Sequence, residues 1–486
     1  MKETKLIRTL KSFSSEEMKL FEKFIASPFF NNGRNYLPLL SELKNIHSGI
    51  DSDNFSYEII YEKLYPGKKF NKQVMWNLVS GLEKLALEFL LQTALKSSKR
   101  ERSVLMFDEL LKRNLDREIF SQIQKTEKYL SGLKYGREFF SIKYTAENNK
   151  CEYWNLAQGR QDKSLEGTVK SAEYLILNLL SELSVIAWDL HVMLLTYNTG
   201  KELNSAIELI NSLDLKKLVS IAKKNKSKYA DIINFYYNKI MCAADESNES
   251  YFFKMKEYFE YNHELFDIQE QRNTVITLAN YCALKMRSGN EEFLKILFEI
   301  NKFRLESGIE NLNGRINKAL YHQILRNALS LGEVKWSEDF VKEYTPKLKK
   351  EHQKTMNFLA RGYLSYAKKD YTDSLENLNK VEFIDIRDKL HVRILSAKAY
   401  YELGNSESLF YYIDTSKHFI GNNVSLEKET KEAYLRFFNF LNKLLICKEK
   451  PDRNKIRKLK EDIHFDRTLR KRHKDWLIEK TGNLIH

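Results

Sequence analysis

Proline and glycine are scarce in this sequence, with 5 prolines and 17 glycines among 486 residues. Sandwiches and barrels of β-strands need turn residues about every 8–12 positions, so a mainly β fold is disfavoured. Apolar residues make up 43% of the chain, which supplies a sizeable core and excludes disorder throughout. The length indicates two or more domains or an array of repeats.

Cysteine is also rare. The four cysteines, Cys151, Cys242, Cys282 and Cys447, form no Cys-x-x-Cys pair, and no two of the 10 histidines lie four residues apart. Structural and helical zinc sites use such spacings. We therefore expect no metal and no cofactor, and we predict buried thiols in a reducing compartment.

Long uninterrupted apolar runs are missing as well. The first 13 residues, MKETKLIRTLKSF, carry scattered charges where a secretory signal has an apolar segment. The most apolar stretch, residues 172–195, is interrupted by Glu173, Glu182 and Asp189, whereas a spanning helix needs about 20 predominantly apolar residues. This pattern predicts a buried helix without membrane insertion, and a cytoplasmic location.

Common sequence motifs of enzyme active sites are missing too. The phosphate-binding patterns G-x-x-x-x-G-K-[ST] and G-x-G-x-x-G do not occur, and neither do H-E-x-x-H and G-x-S-x-G. We therefore expect a protein that is not an enzyme.

Acidic residues are fewer than basic ones: the chain has 66 Asp and Glu and 80 Lys and Arg, a net charge of +14. Residues 448–474 alone hold 12 basic and 5 acidic residues, a net +7. This basic end either contacts a polyanion, whose phosphates its side chains would neutralise, or is the polar outer face of a terminal repeat. The candidate polyanion-binding residues are Arg457, Lys458, Lys460, Arg470, Lys471, Arg472 and Lys474.

Amphipathic helical segments fill the rest of the chain. Near the N-terminus, Ser14 and Glu17 have the spacing of a helix-capping box, and apolar residues then recur at helical spacing. Further helices are predicted near residues 35–46, 56–64 and 71–97. Together they predict an N-terminal helical domain over residues 1–99.

The pattern of residues 356–381 predicts a helical hairpin. Apolar positions from Met356 to Ala367 form one stripe, residues 368–370 form a turn, and Tyr371 to Val381 carry a second stripe. The pattern recurs 35 residues later, with its turn at Gly404. Similar turns occur earlier, at Gly332, Gly289, Ser247 and Gly200. A period of about 34–45 residues with two helices per unit is typical of an α-solenoid.

Residues 355–420 resemble tetratricopeptide repeats. The small residue Gly362, the aromatic Tyr366 four residues later and the turn before the second helix match that family, whereas Ser374 and Leu409 stand where alanine is usual. The resemblance implies helical hairpins over residues 355–420. With the turn period it predicts an all-α fold, with a tetratricopeptide-like α-solenoid of helical hairpins over residues 100–449. The N-terminal sequences FIASPFFN and LYPGKKFN are similar to those of uncharacterised bacterial proteins with helical repeats. Residues 450–486 would form a basic, helical C-terminal end.

Such repeats usually hold a protein or peptide partner on one surface, so we expect a non-catalytic interaction scaffold. An apolar or aromatic anchor is expected, because only Lys398 remains of the basic set that grips a C-terminal carboxylate in some family members. The alternative is that the same side chains only pack against each other. The candidate partner-binding residues are Met356, Tyr363, Tyr366, His391, Lys398 and Tyr401.

A second function is also considered, that of a nucleic-acid-associated transcriptional regulator. Residues 59–85 are similar to the winged helix of bacterial regulators, in which the helix after the proline turn enters the major groove. No pattern for a β-wing follows, because the helical pattern continues. The side chains that would face the bases are Gln73, Asn77, Ser80 and Lys84.

Overall fold

The computed structural model describes residues 4–31, 33–47, 56–157, 161–196, 205, 208–310, 314–382, 386–423, 426 and 428–485. Over these residues the chain is all-α, which confirms the predicted fold class. No strand forms in them, and Tyr135 and Phe266 make an isolated β-bridge.

The described residues form 23 α-helices. Those in the N-terminal part are α1 (Lys5–Lys11), α2 (Ser15–Ala26), α3 (Leu37–His47), α4 (Tyr57–Leu64), α5 (Lys72–Ser97), α6 (Lys99–Lys112), α7 (Asp116–Leu130), α8 (Arg137–Glu152) and α9 (Gln161–Thr196). The following ones are α10 (Leu215–Lys224), α11 (Ala230–Ala244), α12 (Glu249–Asn262), α13 (Ile268–Arg287), α14 (Glu292–Glu306), α15 (Lys318–Ser330), α16 (Val334–Tyr344), α17 (Lys350–Ala367) and α18 (Tyr371–Asn379). The last are α19 (Ile386–Glu402), α20 (Ser406–Asn422), α21 (Lys428–Glu449), α22 (Arg453–Phe465) and α23 (Lys471–Gly482).

Two compact units divide the chain. The N-terminal unit holds Met1–Gly132 with Ser141–Tyr174, and the C-terminal unit holds Leu133–Phe140 with Leu175–His486. The domain boundaries near residues 99 and 449 stay predictions.

The core of the N-terminal unit is built from α1 to α5. The predicted capping box is present: Glu17 N donates to Ser14 Oγ at 3.1 Å, and Ser14 N donates to Glu17 Oε2 at 2.7 Å. It fixes the start of α2, whose Phe21 and Phe24 rings lie 5.4 and 5.6 Å from the ring of Phe89 on α5. Helices α3, α4 and α5 match the predicted ones to within two residues at each end.

The predicted hairpin near residue 369 is formed by α17 and α18. Lys369 adopts a left-handed backbone conformation with φ +65°, and Asp370 Oδ1 accepts a hydrogen bond from Asp373 N at 3.0 Å. The turn residue reverses the chain, and the aspartate caps the helix that follows. Gly362 lies where α17 crosses α18, as its small size predicted.

The other predicted turns follow the same pattern. Gly289, Gly332 and Gly404 all have positive φ angles, of +98°, +79° and +72°. Asn248, in the less regular turn near Ser247, caps α12 by accepting from Ser250 N at 3.2 Å. The predicted turn at Gly200 lies outside the described residues.

Helices adjacent in the chain pack in pairs through the C-terminal unit. The pairs are α11 with α12, α13 with α14, α15 with α16, α17 with α18 and α19 with α20. The first helix of one pair also contacts the first helix of the next, as α15 does with α17 and α17 with α19. Neighbouring hairpins therefore lie side by side here, and the tetratricopeptide-like solenoid stays a prediction.

The basic C-terminal end shares a core with the hairpin before it. Ile456 and Ile463 of α22 and Leu477 of α23 are buried in one cluster with Phe437 of α21 and Leu409 of α20. The end of the chain therefore packs onto the last hairpin through apolar contacts.

Helix α9 contains the most apolar stretch of the described residues. Its segment Gln161–Met193 passes a length and hydropathy test for a membrane span, with 39% of its most apolar window buried in the protein. It is the single helix of the described chain that does so, and this is weak evidence for a membrane.

We predict that Gly362→Ala destabilises the protein, because its methyl carbon would lie 2.7 Å from Cγ and Cδ2 of the buried Leu378. The free energy of unfolding should fall by about 1–3 kcal/mol, as for overpacking in a dense core. Denaturant unfolding measures this loss. Gly421→Ala in α20 is the matched control, because no atom lies within 4 Å of its new methyl group. Equal stability of the two variants would contradict close helix crossing at Gly362.

Candidate anion-binding site

Members of the two predicted binding sets meet in the C-terminal unit. His391 and Lys398 on α19 come from the partner-binding set, and Arg470 and Arg472 at the start of α23 come from the polyanion-binding set. Burial, and then the positive charges of neighbours that include Arg472, lowers the pKa of both His391 and Lys398. The basic cluster, as we define it, consists of Arg326, His391, Lys398, Arg470, Arg472 and His473.

Helical geometry brings α15 and α19 to this cluster. His391 and Lys398 are seven residues apart, two turns of α19, so they lie on the same side of the helix. Arg326 on α15 donates from Nη1 to His391 Nε2 at 2.8 Å. Tyr363 on α17, the helix that contacts both α15 and α19, packs against His322 with ring centroids 5.5 Å apart.

The contact with Arg326 fixes the proton of His391. A guanidinium group only donates, so Nε2 of His391 accepts and the ring carries its proton on Nδ1. Burial, followed by the charges of Arg326, Arg470 and Arg472 and of His322, lowers the pKa of His391 well below its usual value. His391 is therefore neutral at pH 7, and Arg326 keeps its charge.

Lys398 is a buried cation without an ion pair. Its side chain is 7% exposed, and no carboxylate of the described residues forms a salt bridge with it. Its Nζ lies 4.8 Å from the ring centroid of Trp476 on α23. Burial first, and then the charge of Arg472, lowers the pKa of Lys398 to about 7, although Glu402 and Glu479 act in the opposite direction.

Other buried cations of this unit are paired. Lys239 Nζ lies 2.5 Å from Glu270 Oε1, with both side chains almost without solvent exposure. Arg304 Nε lies 3.1 Å from Glu310 Oε1. The chain thus supplies a carboxylate where it buries these two cations, which sets Lys398 apart.

Arg472 is exposed, although the protein around it partly removes its guanidinium from water. This partial desolvation, and then the charge of Arg326, lowers the pKa of the Arg472 guanidinium to about 10, so it stays protonated at pH 7. Within the described chain, neither Arg472 nor Arg326 forms a salt bridge.

Asp388, a carboxylate close to His322, already has partners of its own. Asp388 on α19 lies 2.7 Å from Lys318 Nζ and 3.4 Å from His322 Nδ1. Burial alone would raise the pKa of Asp388, but these two partners lower it to about 2. Its charge is thus shared with Lys318 and His322, and the basic cluster keeps its positive excess.

The remaining partner-set residues are covered to different degrees. Met356 has no exposed surface and Tyr401 is buried, with its ring 5.4 Å from that of Trp476. Tyr366 is half-buried and packs on Tyr371. The expectation of an open surface is corrected at Met356 and Tyr401, and at Tyr401 the cover comes from Trp476 on α23. This arrangement agrees with the alternative that they pack. Partner binding by this set stays a prediction.

The rest of the polyanion set is spread out. Arg457 and Lys458 on α22 are exposed, and Lys460 is half-buried. Lys471 Nζ lies 2.8 Å from Glu291, and Lys474 Nζ donates to the backbone oxygen of His464 at 3.2 Å. These five side chains thus lie outside the basic cluster, and their role in polyanion binding stays a prediction.

The side chains proposed for base contacts lie on α5. Gln73, Asn77 and Lys84 are exposed, and Ser80 is half-buried. Gln73 Nε2 donates to Asn77 Oδ1 at 3.0 Å, and the neighbouring Trp76 is 66% exposed. In the described chain α6 follows α5, and no strand stands in the place of a wing.

The described part of the chain contains no group of three or more His, Cys, Asp or Glu side chains that could hold a metal ion. Cys242, Cys282 and Cys447 are buried, and Cys151 is half-buried.

No family model matches the chain, and no curated protein and no solved structure matches it.

Sequence reasoning missed two members of the cluster, Arg326 and His473. Arg326 stands alone on a helix distant in sequence, so no local pattern identifies it. His473 lies between Arg472 and Lys474, and the basic run could have indicated it.

We predict that Lys398→Met raises stability at low pH more than at high pH. In the unfolded chain the lysine keeps its proton up to about pH 10.5, whereas in the folded chain it loses it near pH 7. The cost of the buried charge is therefore full below pH 7 and fades as the pH rises to 10.

Urea unfolding at pH 6.5 and pH 9.5 measures this difference. The advantage of the methionine variant should shrink by more than about 1 kcal/mol between the two values. Subtracting the two proteins cancels the titration of groups remote from Lys398. A constant difference would show that Lys398 has an ordinary pKa.

Proposed function

We propose that this protein is a non-catalytic, cytoplasmic scaffold that holds a protein partner on its tetratricopeptide-like hairpins. The observation that supports it is the basic cluster, in which cations from α15, α19 and α23 converge without an ion-pairing carboxylate from the described chain. The partner segment that fits this cluster is acidic.

The physical reason is the cost of assembling these charges. Arg326 and Arg472 repel each other, and partial desolvation weakens the screening of Arg472 by water. A lysine whose pKa has fallen by one unit has lost about 1.4 kcal/mol of interaction favouring its charged form, and the fall at Lys398 is larger. An anionic partner would offset this cost upon binding.

The anchor differs from the one that the sequence predicted. Tyr363 and Tyr401 are buried, so aromatic anchoring would need the packing of α17 and α19 to open. Arg470 and Arg472 are exposed and can meet a partner without such a change. Contacts through the two arginines therefore give specificity by charge complementarity.

We predict that Arg472→Gln abolishes capture of specific partners by the immobilised full-length chain. Proteins retained from lysate by the wild type should be lost, because the substitution removes one of the two exposed guanidinium groups of the cluster. Quantitative mass spectrometry of the retained proteins is the measurement. Arg457→Gln, which makes the same change at an exposed position on α22, should retain them. Identical retained sets for all three proteins would refute the scaffold at this site.

A second candidate function is nucleic-acid-associated regulation through α5. It is supported by the exposed polar side chains Gln73, Asn77 and Lys84 on the helix after the Pro66 turn. Residues of these types can bond to base edges and phosphates.

We predict for this second function that Lys84→Gln weakens binding to duplex DNA by several-fold, since it removes one phosphate contact. Mobility shifts at low and moderate salt measure the effect. Lys96→Gln, also exposed on α5, is the control. No shift with the wild type at low salt would rule out this function.

A further inference from the structure

Helix α23 begins at the basic cluster without a side-chain cap. Its N-cap residue is Arg470, whose side chain makes no capping hydrogen bond, and its first turn contains no acidic residue. The backbone N–H groups of Lys471 and Arg472 have no acceptor within the described chain. A 12-residue helix concentrates partial positive charge at such an end, and free N–H groups there bind anions.

Two further polar atoms at the cluster lack partners. His322 is 6% exposed, its Nδ1 faces Asp388, and its buried Nε2 has no hydrogen bond within the described chain. His473 Nδ1, in the first turn of α23, is also buried without one. Buried polar atoms of native proteins usually have a partner, which can be protein, water or a ligand. Beside cations without an ion pair, an anionic ligand is a partner that would serve both.

The rings of the two histidines connect α15, α19, α21 and α23. His322 lies 5.3 Å from His391, and His473 lies 5.2 Å from Phe437, whose ring Lys398 also approaches. These contacts form two groups, one around His322 and His391 and one around His473 and Lys398, and both include residues on the same side of α19. One compact ligand could reach several of them.

The charge and donor count favour a phosphoryl group over a single carboxylate. A carboxylate carries one negative charge and two oxygens, whereas a phosphoryl group carries nearly two charges and three oxygens. Arg326, Arg470 and Arg472 each carry a full charge, and Lys398 is partly protonated near pH 7. A planar guanidinium fork and a helix N-terminus are both geometries that proteins use for phosphate.

We infer that the basic cluster and the N-terminus of α23 form a binding site for a phosphoryl group. The inference rests on the proposed function only in that both use the same site, the basic cluster. The phosphoryl group comes either from a free phosphate compound or from a phosphorylated side chain of the held partner. Arg326 and Arg472 contact its oxygens, the N–H groups at the start of α23 donate to it, and Lys398 becomes fully protonated beside it.

A nucleic acid backbone fits the observations less well. Its phosphates are spaced along a strand and need a row of exposed cations. The cluster is compact and two of its members, Lys398 and His391, are mostly covered. The exposed Arg457 and Lys458 on α22 lie outside it.

Isothermal titration of the full-length chain at low ionic strength tests the inference. The probes are pyrophosphate and N-acetyl-phosphoserine amide, with N-acetyl-glutamate amide as the carboxylate control and a single-stranded oligonucleotide as the nucleic acid control. We expect Arg472→Gln to weaken phosphoryl binding at least about tenfold, since charge-assisted hydrogen bonds are lost. Arg457→Gln should leave it unchanged.

The outcome of the titrations identifies the source of the phosphoryl group. If pyrophosphate alone binds tightly and Arg472→Gln loses this binding, the ligand is a free phosphate compound. If the phosphoserine probe also binds and Arg472→Gln loses that binding, the ligand is a phosphorylated partner. The inference is overturned if neither phosphoryl probe binds, or if Arg457→Gln weakens phosphoryl binding as much as Arg472→Gln does. It is also overturned if the glutamate probe or the oligonucleotide binds as tightly as the phosphoryl probes.

The variants also separate this inference from the proposed function. Partner capture without phosphoryl binding would refute the phosphoryl site alone, and phosphoryl binding without capture would refute the scaffold alone. Arg472 is exposed and forms no ion pair, so Arg472→Gln should fold. A melting temperature at or above that of the wild type confirms this, because the substitution relieves repulsion.

Discussion

The C-terminal unit depends on each helix burying its apolar stripe against the helix next to it in the chain. Helix α17 shows this constraint most clearly, because Gly362 allows α18 to cross it closely while α15 and α19 lie against its other sides. With the first helices of successive hairpins in a row, residues distant in sequence face the same place. Arg326 and His391 come within hydrogen-bonding distance for this reason. Arg326 and Lys398, which are far in sequence from the basic run of residues 470–474, can therefore add their charges to it.

Local features of the fold could be predicted because short-range physics sets them. The cap at Ser14 and the turns at residues 368–370 and Gly404 were placed correctly, and the all-α class followed from helical patterns and the scarcity of glycine and proline. The order in which hairpins pack needs contacts between residues far apart in the chain. One sequence does not supply these, so the packing of α22 and α23 onto the last hairpin was not foreseen.

The candidate site could be predicted only in part, for the same reason. Lys398 and Arg472 each stood in a predicted set, but nothing in the sequence places the two beside each other. Exposure was the property that sequence reasoning predicted least well: Met356 and Tyr401 carry the apolar periodicity of a helix face, and periodicity does not tell whether another helix covers that face. Trp476 on α23 supplies that cover at Tyr401.

The contrast between Lys239 and Lys398 argues that the positive excess has a purpose. Both lysines are buried on helices of the same unit, yet one lies 2.5 Å from a glutamate and the other lies over an aromatic ring. A buried charge that lacks its partner lowers stability, and folding alone would favour an apolar side chain at such a position. A buried cation without an ion pair is stabilised most by an anion that binds after the protein has folded. The loss of folding stability at Lys398 is then recovered as binding free energy, and the strength of that binding depends on how negative the ligand is.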